Sequence, residues 1–173
     1  IVTVELVGTE QSRGDEVLRD APTSGVIIDP RGYLIASSLV IKSTAASILV
    51  RVDSGERYAA EIVARDNHRN LVLLKIDADT PLPAIELTPT SGLAVGQSTI
   101  ALGRYGIDGE RLLSTGILSA ADRLEGIAIQ TDARVSPAFY GGPLIDLYGN
   151  VLGILIPAVA EGGAEDSTSW YDS

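Results

Sequence analysis

Short runs of Val, Ile and Leu alternate with polar turn residues along the chain, and no stretch sustains a helical period. Short apolar runs bounded by turn signals suit strands, so the pattern predicts an all-β protein. Turn chemistry marks the reversals. Asp29-Pro30-Arg31-Gly32 sets Pro at the second turn position, and Asp53-Ser54-Gly55-Glu56 and Leu147-Tyr148-Gly149-Asn150 each separate apolar runs, so hairpins are expected at all three. The stretch Asp77 to Gly92, with Pro81, Pro83 and Pro89, interrupts the alternation midway. It suits a linker between two β-barrels of similar size. The expected organisation is an N-terminal barrel over 1–80, a linker region over 81–97 and a C-terminal barrel over 98–173.

Residues Thr131 to Leu144 read T-D-A-R-V-S-P-A-F-Y-G-G-P-L. Gly141, Gly142 and Pro143 let a chain turn sharply and aim backbone N–H groups at one point, the frame that a nucleophile loop needs. The stretch resembles the HtrA (DegP-like) branch of the trypsin-like serine proteases, whose pattern is T-D-A-x-I-N-P-G-N-S-G-G-P-L, with Tyr140 at the serine position. Ser24 to Ile41, S-G-V-I-I-D-P-R-G-Y-L-I-A-S-S-L-V-I, is similar to S-G-x-I-I-x-x-x-G-Y-I-L-T-N-x-H-V-V, and Leu39 falls on the catalytic histidine. Ala64 to Asp77 resembles G-x-D-x-x-x-D-L-A-V-L-K-I-D, and Asn70 falls on the catalytic aspartate. These segments keep the family order and, with Thr99 to Gly103 and Thr115 to Ser119, cover most of the chain. The resemblance implies a trypsin-like double β-barrel, the chymotrypsin/HtrA protease fold. It also implies an extracytoplasmic, periplasmic location, a homo-oligomer of trimer type, a last strand missing after the acidic tail, and a PDZ domain downstream.

At the three replaced positions the expected chemistry is absent. Leu39 has no lone pair and cannot accept a proton. Asn70 is neutral and cannot stabilise an imidazolium. Tyr140 carries a phenol of reference pKa ~10, and its ring would occupy the space a substrate carbonyl needs. Ala138, Phe139 and Tyr140 then form a degenerate oxyanion loop, because Ala138 replaces a glycine and its Cβ resists unusual backbone angles. The segment Gly153-Ile154-Leu155-Ile156-Pro157 matches the family's substrate-pairing strand, where Pro157 supplies no N–H. Phe139, Tyr140, Ile154, Leu155 and Ile156 are the candidate peptide-binding residues, with Phe139 and Tyr140 read as filling the old cleft. The expectation is a catalytically inactive pseudoprotease that binds a protein or peptide partner or assembles. The alternatives are a hydrolase of non-standard constellation, using Asp132 with a serine or with His68, and a structural oligomerisation subunit.

Composition narrows the partners. The 173 residues are 45% hydrophobic and 21% charged, enough for a packed core. A net charge of −10, from 13 basic and 23 acidic side chains, repels phosphate backbones and anionic headgroups, so no nucleic-acid partner is expected. No apolar run approaches the ~20 residues of a membrane span, and no membrane insertion is expected. Cysteine and methionine are absent. A chain opening Ile1-Val2-Thr3 reads as a processed product or an excised domain. With one histidine and no cysteine, no metal site and no cofactor are expected; Glu161, Glu165, Asp166 and Asp172 lack the ordered spacing of a calcium loop. His68 reads as an exposed loop residue, Asp53-Ser54-Gly55 as a turn, and Lys42 and Lys75 as unconnected to any serine.

Overall fold

The structure, a computed structural model, describes residues 1–7, 11–13, 16–18, 22–39, 41, 47–86, 92–106, 108–124 and 126–157. The first lobe contains strands β1 (Val2–Val7), β4 (Thr23–Asp29), β5 (Tyr33–Ser37), β6 (Ser47–Arg51), β7 (Arg57–Asp66) and β8 (Leu71–Ile76), with a short ribbon of β2 (Gln11–Arg13) and β3 (Glu16–Leu18). Six of these close into an antiparallel barrel in the order β1-β4-β5-β8-β7-β6. Burial alternates along β5, β6 and β8, and sends Leu34, Val50, Val72, Leu74 and Ile76 into one core.

The second lobe contains β9 (Ser98–Tyr105), β10 (Glu110–Arg123), β11 (Ala128–Thr131), β12 (Pro143–Ile145) and β13 (Val151–Ile154). Among the described residues these form a five-stranded sheet in the order β11-β10-β9-β12-β13, curled over Ala101, Ala133, Phe139, Leu144 and Leu155. The only helical element among the described residues is a 3₁₀ turn at Pro137–Phe139.

All three expected hairpins are present, joining β4 to β5, β6 to β7 and β12 to β13. The proline-rich connector has no strand among its described residues and is pinned to the first barrel, with Leu82 N donating to Pro30 O and Ile85 N to Ile27 O, both at 2.9 Å. Pro89 and the four acidic positions of the tail lie outside the described residues.

The two lobes meet along β4. Its burial pattern is five buried positions in a row, because one face lines the barrel and the other contacts β9 and the 3₁₀ turn. No helix among the described residues is long and apolar enough to cross a membrane.

Candidate functional site

The segments carrying Leu39, Asn70 and Tyr140 converge through their backbones. Antiparallel pairing sets Ser37 at the end of β5 opposite Leu71 at the start of β8. Ser38 N then donates to Asn70 O at 2.9 Å, tying the turn that holds Leu39 to the turn that holds Asn70. Asn70 has φ 55°, a left-handed conformation that asparagine tolerates better than most residues. The loop after Tyr140 reaches the same place. Gly141 has φ 85°, and a Cβ there would lie 2.2 Å from Ser24 O and 2.9 Å from Ser37 N. Leu39 is 44% exposed, whereas Asn70 and Tyr140 are half-buried. Ser37 is fully buried, and among the described residues its hydroxyl has no hydrogen-bond partner.

In the loop from Ser136 to Gly142 the amides of Phe139, Tyr140, Gly141 and Gly142 all donate to backbone carbonyls. Pro137 opens the 3₁₀ turn with its φ already suited to it. Phe139 N donates to Ser136 O at 2.9 Å and Tyr140 N to Pro137 O at 3.1 Å. Gly141 N donates to Leu155 O and Gly142 N to Phe139 O, both at 2.8 Å. An oxyanion hole requires N–H groups free to point at a substrate oxygen some 2.7–3.1 Å away. The Tyr140 N–H is engaged within its own turn.

The carbonyls of this loop are held by two hydroxyls at the head of β4. Thr23 Oγ1 lies 2.6 Å from Tyr140 O and 3.1 Å from Pro137 O. Ser24 Oγ donates to Ala138 O at 2.6 Å and accepts from Arg104 N at 2.8 Å, while Ser24 N donates to Tyr140 O at 3.1 Å. The sequence reading missed both residues as part of the site. The available signal was two hydroxyl residues heading a strand that runs on through Val26, Ile27 and Ile28. At its root the loop is tied down by the Thr99–Thr131 hydroxyl pair at 2.8 Å and by Asp132 Oδ1, which accepts from Ile117 N at 2.6 Å.

Phe139 and Leu155 are core side chains, each 7% exposed. Phe139 packs where Gly103 leaves room for its ring, and a Cβ on Gly103 would come within 3.0 Å of it. Leu155 is committed at its backbone as well, because its N–H donates to Gly142 O at 2.8 Å. Ile154, Ile156 and Tyr140 remain half-buried.

The other titratable candidates are engaged elsewhere. His68 is exposed and its amide donates to Asp66 Oδ1 at 3.0 Å. Hydrogen bonds from the Arg69 amide and guanidinium hold the Asp66 carboxyl below its ordinary range. Asp53 sits in the β6–β7 turn and pairs with Arg104 and Arg111 of the other lobe, whose hydrogen bonds, Arg104 first, lower its pKa. Lys75 is ion-paired with Asp77, and its ammonium lies 5.7 Å from the Tyr33 ring centre. Lys42 lies outside the described residues. Among the described residues no group of three or more His, Cys, Asp or Glu side chains is placed to hold a metal.

Comparison with known proteins agrees with this geometry. The trypsin-like peptidase domain matches residues 23–154. A probable periplasmic serine endoprotease, DegP-like, of Halomonas elongata is 36% identical over 149 residues, covering 83% of this chain and 31% of the relative. The magnetosome formation protease MamE of Paramagnetospirillum magneticum is 34% identical over 151 residues, 82% of this chain and 20% of that protein. The periplasmic serine endoprotease DegP of Escherichia coli K12 is 34% identical over 149 residues, 81% of this chain and 31% of that protein. The chain thus spans a third or less of the length of these relatives. With its barrel, its curled second sheet and the glycine-framed loop between them, the chain belongs to the trypsin-like peptidase family, on its HtrA/DegP-like branch.

Proposed function

We propose that this chain is a catalytically inactive HtrA-like pseudoprotease domain, retained as a protein- or peptide-binding or assembly module. The observation that carries the reading is the occupied Tyr140 amide, which donates to Pro137 O at 3.1 Å in a loop whose nucleophile position is itself a tyrosine. Leu39 and Asn70 support it, since neither side chain can act as base or as an anionic orienting group. The residues left to meet a peptide are Tyr140, Ile154 and Ile156, beside Pro157. By extension from relatives named periplasmic, the domain works outside the cytoplasm. It forms part of a longer protein that carries a PDZ domain, and it assembles as a trimer or with active relatives.

The direct test is casein hydrolysis together with labelling by a serine-directed fluorophosphonate. Neither signal is expected above background; saturable cleavage by pure protein ends this reading. Light scattering across concentration tests assembly, and a strict monomer at high concentration removes that part.

The endoprotease names of the relatives favour a second reading, a serine-type endopeptidase with a non-standard constellation. It would use Asp132 with a nearby serine or with His68. Turnover that persists in both His68→Ala and Asp132→Asn would discard both versions.

A further inference from the structure

We propose that the Thr23 and Ser24 hydroxyls form a latch that holds the 137–142 loop closed to any oxyanion, independently of the side chains at the three replaced catalytic positions. The inference deepens the proposed reading and rests on it, by locating inactivity in the backbone as well as in the side chains.

Thr23 is 1% exposed and Ser24 is 0% exposed, so no solvent competes for their hydroxyl protons. Each hydroxyl has one proton to give. Thr23 directs its proton at Tyr140 O, 2.6 Å away, with Pro137 O at 3.1 Å as the weaker second acceptor. Ser24 Oγ gives its proton to Ala138 O at 2.6 Å and itself accepts the Arg104 N–H of β9 at 2.8 Å. Both lobes therefore fix Ser24, and Ser24 fixes the loop.

The consequence follows from peptide planarity. A carbonyl and the N–H that follows it rotate as one rigid unit. Rotating the 137–138 peptide to aim the Ala138 N–H at an oxyanion would swing Pro137 O away from Tyr140 N and from Thr23 Oγ1 together. That rotation gives up one backbone hydrogen bond and one hydroxyl contact in a half-buried site, where unmade bonds carry a cost. The ligand class excluded is a carbonyl or carboxylate oxygen seeking paired N–H donors.

Amide hydrogen exchange by NMR tests the latch without requiring catalysis. Thr23→Val is close to isosteric and removes only the hydroxyl. The Tyr140 amide is expected to exchange about tenfold faster in Thr23→Val, the factor for ~1.4 kcal/mol and within the range of one lost hydrogen bond. Amides in the β9–β10 ladder keep their rates, and Thr23→Ser returns the Tyr140 rate to that of the unaltered protein. Acetate titration then moves the Ala138 and Tyr140 resonances in Thr23→Val alone. An unchanged Tyr140 rate, equal acceleration throughout the protein, or acetate shifts in both proteins or in neither overturns the latch. Ser24→Ala serves as a second variant with the same expectation at Tyr140, and the isosteric Thr23→Val decides the matter if Ser24→Ala does not fold. Casein hydrolysis by the unaltered protein would end the proposed function and leave this readout untouched.

Discussion

At Asp29 the carboxylate accepts from Arg31 three times, from Nε at 3.0 Å, Nη2 at 2.8 Å and the backbone amide at 2.8 Å. These bonds, the guanidinium first, lower its pKa from 3.8 to about 2. A depressed carboxylate adds stability above its unfolded value and loses it as pH falls towards the folded value, so the window runs from about 4 down to about 2. The pair is solvent-screened, and its weight in stability is small. The titration itself is the sharper readout. In Arg31→Ala the Asp29 midpoint followed by carbon NMR should rise towards 3.8 without reaching it, because the residue 31 amide still donates. A midpoint that stays at about 2 refutes the assignment.

Two glycines separate backbone conformation from close approach. Gly149 has φ 88° and nothing within 4 Å of a built Cβ, whereas Gly141 has φ 85° and Ser24 O at 2.2 Å. Gly149→Ala should cost ~1–2 kcal/mol, the left-handed penalty alone. Gly141→Ala should add an overpacking term of ~1–3 kcal/mol on top of it. Denaturant midpoints of the two variants measure the difference, and equal losses would show that the Gly141 site relaxes.

Strands were legible where one face is dry and the other wet. β5, β6 and β8 are short apolar runs that alternate in burial, and the three turns with Gly and Asp or Asn closed the expected hairpins. Legibility failed where a second neighbour intrudes. β4 is buried on both faces by the barrel and by the other lobe, so its period vanishes. In β7 a register shift between Ile62 and Ala64 turns Ile62 and Val63 towards solvent, 43% and 52% exposed. The β2–β3 ribbon gave no pattern to read. Where alternation holds, it carries an energetic prediction. Leu34 points into the barrel and is 0% exposed, while Ile35 beside it is half-buried on the outer face. Leu34→Ala should cost ~2–5 kcal/mol, with Ile35→Ala well below it because less surface returns to water. Equilibrium urea unfolding measures both, and a reversed order would contradict the barrel's inside and outside.

Across the whole molecule the candidate site is a junction of lobes. Arg104 of the second lobe reaches Asp53 of the first, and its amide donates to Ser24 Oγ at 2.8 Å. The identities at Leu39, Asn70 and Tyr140 could be read directly because each is a single residue in a recognisable motif. The state of the loop could not. It depends on where Pro137, Ala138 and Tyr140 direct their carbonyls, and the hydroxyls that hold these oxygens lie 114 to 117 residues away. This distinction sets the outcome of rebuilding the triad. Leu39→His, Asn70→Asp and Tyr140→Ser together supply a base, an orienting carboxylate and a hydroxyl, yet the residue 140 amide still donates to Pro137 O and residue 138 is still an alanine. Loss of one oxyanion donor alone costs a serine protease ~10²–10³ in kcat. The triple variant should therefore hydrolyse peptides at least ~10²-fold more slowly than an active relative assayed beside it. Adding Thr23→Val should raise its fluorophosphonate labelling, since removing the hydroxyl contact at Pro137 O lets the 137–138 peptide rotate its N–H towards the phosphonyl oxygen, while Ser24 N still holds Tyr140 O. Triple-variant activity equal to that of the relative would show that the backbone of this loop is no obstacle to binding an oxyanion.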